Sequence, residues 1–448
     1  MSDDEFMFDD GEEDYGFEYE EDDGDSQDLS LETKYYNAKA QRDDFDAALA
    51  EFLVVVEEDE AQGASEWGFK ATKQTIKLYL GQPSSSQQQA KIIEYYDRML
   101  GYVRNSIVTR NYAEKSINNM LERVTASMSA ESALAFYHKT LDVLEQTKNE
   151  RLWLRTSLRL GRLLLDQKRY AELDVLLSKL RHSCEDEAGN VILERGTHLL
   201  EVNALYLGMY TERGEAKRLK DTFLSSVAVK SAIPHPRIMG FIRECGGKMY
   251  MAERNWEEAQ SNFFDAFKNY DEAGSPQRVQ VLKYLVLASM LSETEVNPLS
   301  SPEARSYEND PAIIAMTELV KAYEAQQVTL FERILQQNTE TILGDPFIAK
   351  YIGDLRRTFR MQALQSAVAP YTRIRIEVLA RRLRISVGEA EELLVALILD
   401  KRLRASIDQE NAILVLQQEM SDEAQYEAVG NWATGLEALM QQSLTVMS

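Results

Sequence analysis

The sequence predicts a mainly α-helical chain: a helical-repeat solenoid, then a winged-helix module, then one C-terminal amphipathic helix. Three observations carry this expectation. No proline occurs from residue 84 to residue 233, which calls for many antiparallel helices joined by short loops. One hydrophobic register recurs along the same span. Beyond residue 371 the periodicity switches to a strand, two helices and two strands.

The elements follow in chain order. Residues 1–30 hold 15 Asp or Glu and no Lys or Arg, so they cannot bury enough surface to offset their ordering entropy. They read as a disordered acidic tail. Phe6, Phe8, Tyr15, Phe17 and Tyr19 alternate with its acids. That composition suits docking on a basic, apolar-pocketed partner, and equally a tail that only solubilises.

Residues 31–296 form the solenoid. Phe45, Ala48, Phe52 and Val55 share one spacing with Tyr170, Leu173, Leu177 and Leu180, and with Trp256, Ala259, Phe263 and Ala266. An aromatic followed by small or aliphatic positions three, seven and ten residues on marks the second helix of a tetratricopeptide-like pair. Within the solenoid, "SAIPHPRIMGFIRECGGKMY" places a histidine, a cysteine and charges together. Pro236 suits the first turn of a helix, and Ile238, Ile242, Cys245 and Met249 then form one buried stripe. About 15 Å of helical rise separates His235 from Cys245, so they cannot act as base and nucleophile. Gly247 and Tyr250 stand where the small and aromatic residues of a first repeat helix belong. The stretch is a structural joint.

Residues 297–416 begin with "NPLSSPEARSYENDP", continue through helices, and end in the winged helix of residues 372–416. Its second helix, "VGEAEELLVALILD", carries Glu389, Glu391, Glu392 and Asp400 and no Lys or Arg. Phosphates would repel such a helix, so nucleic-acid binding is disfavoured. Arg381, Arg382, Arg384, Lys401, Arg402 and Arg404 lie outside it. Protein–protein use, with Ile407, Ile413 and Leu414 at the interface, is the better expectation. In residues 417–448, Tyr426, Val429, Trp432, Leu436, Leu439 and Met440 share one side of a helix. Nothing obvious is left in its own chain to cover that stripe, unless the helix folds back on its own winged helix.

Composition removes several function classes. The 448 residues carry a net charge of −24 and two cysteines, Cys184 and Cys245, which make no disulfide framework. This fits a reducing compartment, and no apolar run approaches membrane-spanning length. His138, His182, His198 and His235 form no metal-ligand motif, and phosphate loops and nucleophile elbows are absent from the sequence. The expectation is a non-enzyme with no catalytic, cofactor or metal site.

Charge picks out two candidate binding clusters. Residues 66–115 hold eight Lys or Arg against four Asp or Glu, with Lys70, Lys73 and Lys77 spaced along one helix face and Arg104, Arg110 and Lys115 following. Arg151, Arg155, Arg159 and Arg162 form a second stripe. Either these are ordinary solvated faces, or they bind an acidic protein surface or a polyanion.

Helical repeats leading into "NDP", "GDPFI", "PYTRI", "EAEELL" and "IDQENAIL" resemble the PCI-domain family, found in the proteasome lid, the constitutive photomorphogenesis (COP-nine) signalosome and a translation initiation factor complex. Outside that domain, "YYNAKA", "EWGFKATKQTIK", "TRNYAEKSIN", "KSAIPHPRIMGFIRECGGKM" and "FFDAFKNYDEAGSP" look like its signalosome members rather than the paralogue in the lid. The segment "GQPSSSQQQA" matches no motif of either. The resemblance implies a cytoplasmic and nuclear, non-catalytic scaffold. Its winged helix and tail would join other subunits, and its solenoid would grip a cullin–RING ligase. An inositol polyphosphate would be a bridging ligand, and a different subunit would be the metalloprotease that removes the cullin's ubiquitin-like modifier. A lid scaffold subunit is the alternative.

Overall fold

The computed structural model describes residues 28–41, 44–81, 86–185, 192, 195–229, 235–293, 298–307, 310–416 and 422–447. Most of the acidic tail, residues 1–27, lies outside them, as do residues 82–85 of the unmatched loop.

Among the described residues, twelve helices run in sequence through the first part: α1 (Asp28–Ala40), α2 (Phe45–Gln62), α3 (Glu66–Leu80), α4 (Ser86–Arg104), α5 (Arg110–Ser127), α6 (Ala130–Gln146), α7 (Glu150–Asp166), α8 (Tyr170–Cys184), α9 (Gly196–Arg213), α10 (Ala216–Ala228), α11 (Pro236–Ala252) and α12 (Trp256–Glu272). The three aromatics of the repeated register are the first residues of α2, α8 and α12, all second helices of a pair. Every small or aliphatic member of that register, from Ala48 to Ala266, is at most 1% exposed.

A recurring turn sets the pair geometry. Lys148, Lys168, Gly214, Arg254 and Gln326 all have positive φ, and two residues later the next helix begins. In each, the following N–H reaches back five residues to a carbonyl of the preceding helix: Asn149 to Leu144, Arg169 to Leu164, Glu215 to Tyr210, Asn255 to Tyr250 and Gln327 to Ala322. This is a Schellman closure, which satisfies carbonyls a helix end would otherwise leave orphaned. Only one of the five is glycine, so this punctuation is invisible to a search for Gly and Pro.

The chain divides into two compact units. The first comprises Met1–Met249 and Asn269–Ser275. Its α1–α3 corner buries Leu31, Tyr35, Ala38, Ala48, Phe52, Val55 and Val56. Asp59, 1% exposed, accepts from the Ser65 N–H and hydroxyl and, at 2.9 Å, from the Tyr102 hydroxyl. His235 caps α11, its Nδ1 accepting from the Arg237 N–H at 3.2 Å, and Pro236 takes the first helical position as its missing N–H allows. Ile242, Cys245 and Met249 are buried as expected, with Ile238 half-buried.

The second unit comprises Tyr250–Lys268 and Pro276–Ser448. It adds α13 (Gln277–Leu291), α14 (Pro302–Arg305), α15 (Pro311–Glu324), α16 (Val328–Gln337), α17 (Thr339–Leu343) and α18 (Pro346–Val368). In "GDPFI", Asp345 caps α18 through the Phe347 N–H at 2.8 Å and accepts from the Tyr284 hydroxyl at 2.8 Å. Phe347 stacks edge-on to Tyr284 at 4.7 Å and Tyr351 at 5.2 Å. The winged helix follows: β1 (Arg373–Arg375), α19 (Ile376–Leu383), α20 (Val387–Leu399), β2 (Ala405–Asp408) and β3 (Ile413–Leu416), in antiparallel sheet order β1-β3-β2. The chain turns between β2 and β3 where Asp408 accepts from the Asn411 backbone and side chain. A last helix, α21, spans Asp422–Met447.

Candidate functional site

The two basic clusters fare differently once folded. On α3, Lys70 pairs with Glu66 at 3.1 Å and lies over the Trp67 ring at 4.3 Å. Lys73 is only 8% exposed, its ammonium 5.1 Å from the Tyr112 ring, and Lys77 is half-buried. The expected solvent-facing row of three lysines is therefore corrected. α3 is packed against α2, α4 and α5, and aromatic rings of α3 and α5 hold the ammonium groups of Lys70 and Lys73.

Arg110 donates to Glu114 at 3.3 Å and to Asn149 Oδ1 at 2.6 Å, while Asn149 Nδ2 donates to Glu114 at 2.7 Å. This triangle ties the start of α5 to the start of α7. Farther along, Arg159 reaches Glu122 of α5 at 2.7 Å and Arg162 reaches Glu201 of α9 at 3.4 Å. Half of the arginine stripe thus links successive repeats.

Arg104, Lys115, Arg151 and Arg155 are exposed, and no acid of the described chain pairs with them. Residues 110 and 149 meet, as do 122 and 159, so α5 and α7 run alongside in the same direction. That alignment sets Lys115 level with the α7 turn between Arg151 and Arg155. Three uncompensated cations on neighbouring helices can attract an anionic surface, and little self-repulsion is relieved inside the chain. Sequence spacing found these residues; it could not say which would be consumed by internal ion pairs.

The expected assembly residues also separate. β3 is the central strand, hydrogen-bonded on both sides, and Leu414 is 0% exposed. Leu414 therefore belongs to the module's own core and not to an outer interface, which corrects that expectation. Ile413, half-buried, sits on the same strand, whereas half-buried Ile407 lies on edge strand β2. In α21 the stripe is uncovered: Tyr426 is 77% exposed, Trp432 79% and Leu436 60%, with Val429, Leu439 and Met440 similarly open. The alternative of a tail folded back on its own winged helix is not what the structure adopts.

Among the described residues, no group of three His, Cys, Asp or Glu is placed to hold a metal ion, and no helix is long and apolar enough to cross a membrane. Burial pushes the Cys245 thiol up to about 12 and raises that of Cys184. Buried, protonated thiols are poor nucleophiles.

Gly161 escaped the sequence reading. It precedes Leu173 by the same twelve residues that separate Gly247 from Ala259. A Cβ there would sit 2.9 Å from Leu205 and 3.6 Å from Leu173.

The PCI domain family matches residues 335–418. A protein of Emericella nidulans named COP9 signalosome complex subunit 2 is 45% identical over 450 residues, covering 99% of this chain and 87% of the relative. The Drosophila melanogaster protein of the same name is 44% identical over 439 residues, covering 98% and 97%. A Caenorhabditis briggsae protein named probable 26S proteasome regulatory subunit rpn-6.2 is 27% identical over 323 residues, covering 69% and 76%.

Proposed function

The chain belongs to the COP9 signalosome complex subunit 2 family, and on that premise we propose that it is a non-catalytic PCI scaffold subunit of a signalosome. In this reading it holds cullin–RING ligases while another subunit removes their ubiquitin-like modifier. It works in the cytoplasm and nucleus. Its acidic tail, residues 1–30, precedes a repeat solenoid over 31–296, a PCI domain over 297–416 and an assembly helix over 417–448.

The observation that carries the scaffold role is the open stripe of α21, six large apolar side chains each at least 60% exposed. At roughly 25 cal/mol per Å² of apolar surface buried, a helix face of this kind finds cover in a partner bundle. Ligase binding is supported by the Lys115, Arg151 and Arg155 level of the solenoid, with Arg104 and Lys70 as further contacts. An inositol polyphosphate between such cations and a basic ligase surface would bridge like charges.

The test is purification of the tagged full chain from its own cells, followed by mass spectrometry. The account expects a complete signalosome with cullins. Recovery of proteasome-lid subunits instead would overturn it.

A further inference from the structure

One wall of α18 carries Arg356, Arg357 and Arg360. With Gly353 of the same helix and Glu389, Glu392 and Leu393 of α20, they line a cavity of about 300 Å³. The charges are sorted, guanidiniums on one wall and carboxylates on the other. Arg360 is fixed, donating through Nη2 to Glu332 at 3.0 Å and through Nη1 across the cleft to Glu389. Arg356 Nε lies 3.4 Å from Glu332 without forming a hydrogen bond, and the Nε atoms of both Arg356 and Arg360 are screened from solvent with no acceptor. Neither Arg357 nor Glu392 has an ionic partner in the described chain. Gly353 adds an independent observation. A Cβ there would meet nothing within 4 Å, although a residue with a side chain would favour the helix by about 1 kcal/mol. The glycine leaves this end of the cleft open.

From this arrangement we infer that the cleft between α18 and α20 is a docking pocket for a segment of an assembly partner, presenting a carboxylate to Arg357 and Arg356 and a cationic side chain to Glu392. The inference rests on the scaffold reading above. Two opposite walls select an acid–base pair, such as Glu and Lys one turn apart on a helix. A phosphate-rich ligand fits poorly, because Glu389 and Glu392 line the same space. The volume accommodates one or two side chains. Because Arg360 is already clamped, docking freezes fewer rotamers than a free arginine cluster would.

The experiment reconstitutes the full chain with the remaining subunits and measures its affinity for them. Arg357→Glu, Glu392→Lys and Gly353→Leu should each weaken assembly about tenfold or more, while Arg357→Lys stays within about threefold. The melting temperature of the free chain should not fall in any of them, since the altered side chains have no partner within it. Truncation after Asn411 serves as the reference and should abolish assembly. If it does, and the three variants assemble with wild-type affinity, the pocket is overturned while the scaffold reading stands. If the truncated chain still assembles, the reading of α21 as the assembly helix falls, and the pocket, which that chain keeps intact, stands or falls on the three variants alone.

Discussion

Replacing Gly68 by alanine should destabilise the solenoid even though alanine is the better helix former. The Cβ would stand 1.9 Å from Asp59 Oδ2 and 2.5 Å from the Tyr102 hydroxyl. To make room, the Asp59 carboxylate must give up at least the Tyr102 bond and swing from its Ser65 cap. Hydrogen bonds to a charged group are worth roughly 1.5–3 kcal/mol each, and the helix gains about 1 kcal/mol from losing a glycine. The net cost is about 2 kcal/mol. Gly101, in the interior of α4, is the internal control, because nothing lies within 4 Å of a Cβ built there. Gly101→Ala should therefore stabilise by somewhat under 1 kcal/mol. Thermal unfolding of the two variants beside the wild type reads the sign directly. Shifts in the same direction would refute the claim that the Asp59–Ser65–Tyr102 cluster requires glycine at position 68.

Lys168→Gly should raise the melting temperature slightly, since a lysine at φ 59° bears a left-handed strain of about 1 kcal/mol that glycine avoids. Native-state alkylation at pH 8 should leave Cys245 unmodified while denatured chain reacts. The folded thiol titrates near 12 against 9.0 when unperturbed, so its stabilisation is complete below pH 9 and lost as pH rises toward 12; faster unfolding over that window checks the sign. Trp432→Asp with Leu436→Asp should leave the melting temperature of the isolated chain unchanged, because both are exposed, yet remove it from its complex on gel filtration. Truncation after Asn411 deletes the central strand β3, so the wing should lose protection in hydrogen exchange while α1–α10 keep theirs.

Much of the fold was legible because it is written in periodicity. The aromatic–small–aliphatic register placed the starts of α2, α8 and α12, and the order of short elements after residue 371 gave the winged helix. Pro236 signalled a helix start because a missing N–H is harmless only there. What the sequence concealed depends on neighbours brought from afar. Nothing local distinguishes Lys73, buried beside Tyr112, from Lys115, or Arg159, bound to Glu122, from Arg155. The α18–α20 cavity was invisible for the same reason, since its two walls are 29 residues apart along the chain at the Arg360–Glu389 contact. Leu414 looked like an interface residue because hydrophobic alternation cannot tell a central strand from an edge.

The central claim is that this chain grips cullin–RING ligases through uncompensated cations of the solenoid. It is tested most directly by reversing Arg104, Lys115, Arg151 and Arg155 to Glu together and measuring binding of the assembled complex to a cullin–RING ligase at low and moderate salt. Exposed pairs contribute roughly 0.2–1 kcal/mol each, so four reversals should cost about 1–4 kcal/mol, from several-fold to several-hundred-fold in affinity. The loss should be larger at low salt and appear mostly in the on-rate, with assembly of the complex intact. Wild-type affinity at both salt concentrations, in a fully assembled complex, would contradict the account.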